Sequence, residues 1–287
     1  MASCHIATSI HNLWERSLRT LAKQRLVLIT ATVILMIFIS GCASLGTVLP
    51  PDIEKPPIQP GVPDDSPGEP PTTPVLSNLG GRIKLAGADD VLRPITIHIG
   101  DRVVTTYDGH FTIEGLEHGK YEIAISADHY QTYEGQVTIT SEPSMLEVTL
   151  QVKYAKEDLE LFARLVYAEA AGEPQLGQIA VAASILNRVV SSDYPNTLRE
   201  VILQTVEVGG VQYYQYSPVL DGRIWELDPE SQPEAYAASL EAIYCALAGQ
   251  DPSEGATGFY NPSKVPPSHW VRNQTPTVRI GNHQFFL

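Results

Sequence analysis

Cysteine, basic charge and the common catalytic signatures are all scarce in this sequence. Cys4, Cys42 and Cys245 are its only cysteines in 287 residues, too few and too far apart for a disulfide framework. Lys and Arg number 19 against 33 Asp and Glu, for a formal net charge of -14. A phosphate backbone needs basic surface to neutralise it, so nucleic acid is not expected as a partner. There is no GxSxG elbow, phosphate loop, dinucleotide fingerprint or HExxH pair. After His129 the only histidines are His269 and His283, and neither sits within a turn of a second ligand. A zinc amidase needs a preassembled ligand cluster, so neither a metal nor another cofactor is expected. Cys245, with no histidine near it in sequence, reads as a small buried apolar residue rather than a catalytic thiol.

What is present suits a globular protein of about two compact units plus linkers, with 43% hydrophobic and 18% charged residues. The N-terminus carries an address. Arg16, Arg19, Lys23 and Arg25 precede an apolar run of 15 residues, Leu26 to Ser40, and Glu15 is the only acid in the first 41 residues. That run is short for a membrane span but right for a signal segment. It ends in Ile39-Ser40-Gly41-Cys42, which resembles a bacterial lipobox. The resemblance implies a lipoprotein signal peptide over 1–41 and a diacylated Cys42 anchoring the chain to the membrane, with the remainder extracytoplasmic. An uncleaved anchor from Leu26 to Leu49 is the alternative. Cleavage would discard Cys4, leave no cysteine pair to oxidise, and bring the net charge to -17.

Residues 42–78 form a linker after the lipidated cysteine, with ten prolines between Thr47 and Asn78. So little apolar surface cannot drive folding, and the extended spacer can reach about 90 Å. Residues 79–152 then show short alternating stretches such as PITIHIG and YEIAIS, separated by turn signals at Asp108-Gly109 and His118-Gly119. This spacing predicts a small β-sandwich of about seven strands. The segment TTYDGHFTIEGLEHGKYEIAISADHYQTY resembles the carboxypeptidase regulatory-like, transthyretin-type module through Asp108, Gly109, Phe111, Ile113, Gly119 and Tyr121. The resemblance implies a spacer or weak binder. His110, His118 and His129 lack ligand spacing and are expected as exposed turn residues.

Over 155–287 the period becomes helical. Helices are expected from Lys156 to Gly172, from Pro174 through a stripe of Ile179, Ala183, Leu186 and Val190, from a cap at Asn196 to Gln204, and from Pro233 to Gly249. TVRIGNHQFFL reads as a hairpin around Gly281-Asn282. With the usual nucleophile motifs missing, acid chemistry remains. Glu169 stands between Ala168 and Ala170 at a helix end, where apolar surroundings raise a carboxyl pKa toward that of a useful proton donor. From position alone, an ordinary helix glutamate fits as well. Glu173 before Pro174 has a sufficient structural role at the next helix start. Tyr213, Tyr214, Tyr216, Trp225, Tyr260 and Trp270 occupy loop-like stretches, suiting either sugar stacking or packing under loops.

LFARLVYAEAAGEPQLGQIAVAASILNRVVSSDYPNTLREVI, followed by QYSPVLDGRIW, GFYNP and VRIGNHQFF, resembles the catalytic domain of the cell wall hydrolase SleB family of spore-cortex lytic enzymes. The resemblance runs from about Leu161 to Phe286. It implies a mainly helical, lysozyme-like α+β fold after the β-sandwich, peptidoglycan as substrate, and Glu169 as the catalytic acid. It also offers Gln215, Ser217, Tyr260, Asn261, Trp225 and Glu173 as substrate contacts. The chain departs from the family pattern at Ala171, where AEARGEP usually has arginine. It departs again in VEVGGVQYYQYSPV, which is longer than the family-like PGQFSPV. The activity expected is lytic transglycosylase cleavage between N-acetylmuramic acid and N-acetylglucosamine by a monomer. A muramidase needing Glu173, Asp221 or Glu207 as second carboxylate, and a wall-binding lipoprotein without catalysis, are the alternatives.

Overall fold

The computed structural model describes residues 75–287. The expected signal segment, the Cys42 lipidation site and the spacer up to residue 74 lie outside the described residues, while Leu76, Ser77 and Asn78, read from sequence as the end of the linker, instead open the first strand. Among the described residues, no helix is long and apolar enough to cross a membrane.

Seven strands open the described chain: β1 (Leu76–Leu85), β2 (Ile95–Ile99), β3 (Arg102–Thr106), β4 (His110–Glu117), β5 (Gly119–Ser126), β6 (Tyr133–Ile139) and β7 (Ser144–Leu150). They form two sheets. In the first, β1 lies between antiparallel β4 and parallel β7; the second has the order β3-β2-β5-β6 and is antiparallel throughout. Period-2 alternation explains what is inside. Ile95, Ile97 and Ile99 are buried while His98 faces solvent, and Ile123 and Ile125 continue the same layer from β5. The stretch RVVTT of β3 has no apolar alternation; four of its five residues are at least partly exposed, so pattern alone gave no strand there.

His129 corrects an expectation. It is buried, not an exposed turn residue, with a left-handed φ of 69° and its Nδ1 2.5 Å from the Tyr154 hydroxyl. Burial, helped by the Arg93 and Lys153 charges, pushes its pKa down to about 3 and keeps the imidazole neutral.

The remainder is mainly helical: α1 (Lys156–Ala170), α2 (Gln175–Val190), α3 (Leu198–Ile202), α4 (Ser217–Leu220), α5 (Arg223–Glu226) and α6 (Pro233–Leu247). Helix α2 is the central one, packing on α1 and α6 with Ile179 to Leu186 all buried, as an all-round apolar helix must be. Phe162 and Leu165 of α1 are fully buried, each contributing about 1.5–3 kcal/mol of transfer free energy. Val190 leaves the expected stripe and is exposed, because the helix ends there with Ser191 as its cap. The cap of α3 is Thr197, not Asn196. Its Oγ1 accepts from the Glu200 N–H at 3.2 Å and donates to the Glu200 carboxylate at 2.7 Å, a local pairing that Asn196 does not offer.

Two small β elements complete the domain. β8 (Thr205–Val208) and β9 (Val211–Tyr214) form a hairpin on Gly209-Gly210, both with positive φ, in a stretch read from sequence as loop. β10 (Gly258–Tyr260), β11 (Pro276–Ile280) and β12 (His283–Phe286) form a sheet in the order β10-β12-β11, with its tight turn at Gly281-Asn282.

Candidate active site

Glu169 lies in the last turn of α1, next to buried Ala170. It is half-buried, and among the described residues its carboxyl makes no hydrogen bond or ion pair. Burial is the main reason its pKa rises to about 7; nearby Asp221 pushes the same way, while Arg223 and Lys264 pull it down. The end of α1 adds nothing to hold the anion, since a helix C-terminus disfavours negative charge and no basic residue occupies the last turn. A carboxyl so placed holds its proton about half the time at neutral pH and can donate it.

The chain from β9 into α4 and α5 carries Tyr216, Asp221 and Arg223, which interact electrostatically with Glu169. Gln215 closes the hairpin, donating its N–H to the Gln204 carbonyl at 2.9 Å, and its side chain is exposed. Ser217 is exposed at the start of α4. Between them Tyr216 turns inward and is only 5% exposed, with the Arg188 guanidinium 5.2 Å from its ring and Phe259 at 6.5 Å. Burial pushes the Tyr216 hydroxyl up to about 12, against the pull of Arg188 and with the help of the Glu169 charge. Asp221 accepts from the Arg223 backbone N–H at 3.1 Å and from its Nε at 2.7 Å. Burial pushes the Asp221 pKa up, but these bonds outweigh it and leave it below the ordinary value. Trp225 on α5 is exposed.

Glu173 belongs to a different arrangement. Its Oε2 accepts from the Asn282 backbone N–H at 2.9 Å and its Oε1 from the Asn282 amide at 3.0 Å. Burial raises its pKa, yet the two Asn282 hydrogen bonds prevail and hold it below the usual carboxylate range. The approach depends on Gly281, where φ is 57° and a Cβ would fall 2.0 Å from Glu173 Oε2. Glu207 is further removed, exposed on β8 with Gln212 Nε2 donating to it at 3.3 Å. Of the three carboxylates weighed as a second acid, Asp221 is the one whose charge acts on Glu169.

Tyr260 ends β10 half-buried, its ring 6.1 Å from Phe286 and 5.7 Å from the Arg272 guanidinium. Asn261 uses its Oδ1 to accept the Ser263 N–H at 2.9 Å, and its carbonyl accepts the Lys264 N–H at 3.0 Å. Tyr216, Arg223 and Lys264 are the groups that were not singled out for the site from sequence. Tyr216 was visible only as one loop aromatic among six, and nothing in the linear order of Arg223 or Lys264 ties either to Glu169. Among the described residues no group of three or more His, Cys, Asp or Glu could hold a metal ion.

Residues 172–286 match the family model described as Cell Wall Hydrolase. The match falls on the C-terminal, mainly helical domain of this chain. A spore cortex-lytic enzyme of Halalkalibacterium halodurans is 38% identical over 132 residues, 46% of this chain and 35% of the relative. One from Bacillus cereus is 36% identical over 132 residues, covering 46% and 45%. The chain therefore spans less than half the length of these curated relatives. The solved catalytic domain of the germination-specific lytic transglycosylase SleB from Bacillus anthracis is 35% identical, with a TM-score of 0.38, covering 47% of this chain and 98% of that one. Glu169 lies just ahead of the segment matched to the cell wall hydrolase model.

Proposed function

We propose that this protein is a lytic transglycosylase that cleaves peptidoglycan between N-acetylmuramic acid and N-acetylglucosamine with Glu169 as its catalytic acid. The observation that carries this reading is the half-buried, partnerless Glu169 carboxyl with its pKa near 7. A glycosidic bond breaks as the sugar acquires oxocarbenium character, and its leaving oxygen must be protonated at that moment. Protonated Glu169 donates to the bridging oxygen. The resulting carboxylate then takes the proton of the muramoyl C6 hydroxyl, which closes on C1 to give a 1,6-anhydro end. Both steps need one group that loses and regains a proton readily, which a pKa near neutrality provides. The exposed Gln215, Ser217 and Trp225, with half-buried Tyr260 and Asn261, are the side chains proposed to border the bound glycan. The domain acts outside the cytoplasmic membrane, held there by lipid on Cys42, with the β-sheet unit over 79–152 as a carboxypeptidase regulatory-like spacer.

One observation favours hydrolysis as a second reading: Asp221 is near enough for its charge to raise the Glu169 pKa, and it stays ionised. It could serve as the second carboxylate of a muramidase. Incubating the protein and a Glu169→Gln variant with purified peptidoglycan, then classifying the muropeptide ends by mass spectrometry, separates the readings. Anhydro ends from the unsubstituted protein alone are the expected result. Reducing ends would establish hydrolysis instead, and absence of cleavage would leave a wall-binding protein.

A further inference from the structure

Two cations act on Glu169, and they are not equivalent. The Arg223 guanidinium is paired through its Nε with Asp221 Oδ2 at 2.7 Å, so its charge is already answered, and Asp221 Oδ1 accepts the Arg223 backbone N–H. Lys264 is exposed, and among the described residues its ammonium has no hydrogen bond or ion pair. Its backbone, in contrast, is fixed. The Asn261 turn accepts its N–H, and Arg272 reaches across the loop to the carbonyls of Pro262, Val265 and Pro266 at 2.5, 2.6 and 3.1 Å. Such a loop presents a lysine without exhausting it.

The loop also starts from the right place. Tyr260 pairs with Gln284 on β12, two residues beyond Asn282, and Asn282 is the residue that Glu173 grips just past the end of α1. The route from Glu169 to Lys264 therefore runs through paired backbone and two side-chain hydrogen bonds. Consistent with this placement, the Lys264 charge is felt by Glu169, Glu173 and His283 together. Glu173 is bound to Asn282 and His283 is buried, so neither offers a partner for an exposed ammonium.

We propose that Lys264 is a specificity-determining residue of this site, binding a carboxylate of the peptide stem carried by the muramoyl residue beside the scissile bond. The inference rests on the reading of Glu169 as a peptidoglycan-cleaving acid. A free ammonium on a fixed loop is suited to an anion whose position on the glycan varies by an ångström or so, because lysine pairs as a mobile point charge rather than through a rigid fork. It also gives an otherwise acidic protein one local attraction for an anionic substituent of its substrate.

The test compares the unsubstituted protein with Lys264→Met, Lys264→Arg and Glu169→Gln on two forms of one peptidoglycan, native and with its carboxyl groups converted to amides. On native material Lys264→Met is expected to raise the half-saturating substrate concentration about tenfold with kcat little changed, and Lys264→Arg to stay close to the unsubstituted protein. On amidated material the Met variant and the unsubstituted protein should coincide. Unchanged kinetics of Lys264→Met on native material, or an equal loss on both forms, would overturn the assignment. Undiminished cleavage by Glu169→Gln, or none by the unsubstituted protein, would overturn the reading beneath it instead.

Discussion

Glu169 and Glu173 are one helical turn apart in sequence and occupy opposite environments. The first ends α1 among alanines, half-buried, without a donor, its pKa raised to about 7. The second lies in the turn after α1 with both oxygens bonded to Asn282, its pKa lowered. The same side chain is a proposed proton donor in one place and a clamp in the other. What separates them is first burial, which is much deeper at Glu169, and then the number of N–H groups aimed at the carboxylate, two at Glu173 against none. A buried anion without such donors is costly, and protonation is the cheapest relief.

The largest expected effect of breaking this contrast comes from Glu169→Gln. That variant should lose cleavage by about 100- to 10,000-fold, measured as soluble muropeptides released from peptidoglycan, while Glu173→Gln retains most of it. Next in size is the pH response. The donor must be protonated, so kcat/KM should fall about tenfold per pH unit above about pH 7, and no comparable limb should trace to Glu173.

Clamp variants should act on stability instead. Gly281→Ala places a Cβ against Glu173 Oε2 in a left-handed backbone and should destabilise the domain by about 1–3 kcal/mol in urea unfolding. Glu173→Ala, which leaves the exposed Asn282 donors to water, should cost less, about 0.5–1.5 kcal/mol.

The smallest effect is a stability gain. Because the Glu169 pKa is raised on folding, the folded state holds a proton between pH 4.5 and about 7 that the unfolded chain has released. Stability therefore falls as pH rises through that window, and the deficit is complete above it. Glu169→Gln should be more stable than the unsubstituted protein at pH 8 by about 1 kcal/mol, with the difference gone at pH 4, since solvent screening limits the penalty.

How much of this was legible in the sequence follows the range of the contacts. Local features could be read: the helical stretches of α1, α2 and α6, the Gly281-Asn282 hairpin, and a glutamate between alanines at a helix end. The clamp could not, because Glu173 and Asn282 are 109 residues apart and neither has a pattern naming the other. The same holds for Lys264, whose charge acts on Glu169 from a loop far along the chain. The hairpin β8–β9 went unread for another reason. Every one of its eight strand residues is exposed, so burial imposes no alternation, and only the Gly209-Gly210 turn marks it. The inward Tyr216 was masked by its more suggestive neighbours Gln215 and Ser217, which the structure leaves on the surface.

The most direct test of the contrast is a carbon-13 NMR titration of the glutamate carboxyls, with Glu169 and Glu173 assigned through their Gln variants. Glu169 is expected to titrate near 7, matching the midpoint of the pH–rate profile, and Glu173 to titrate below the ordinary glutamate value. Titration of Glu169 at an ordinary value near 4.5 would contradict this expectation, because the donor would then be ionised where the enzyme is proposed to work.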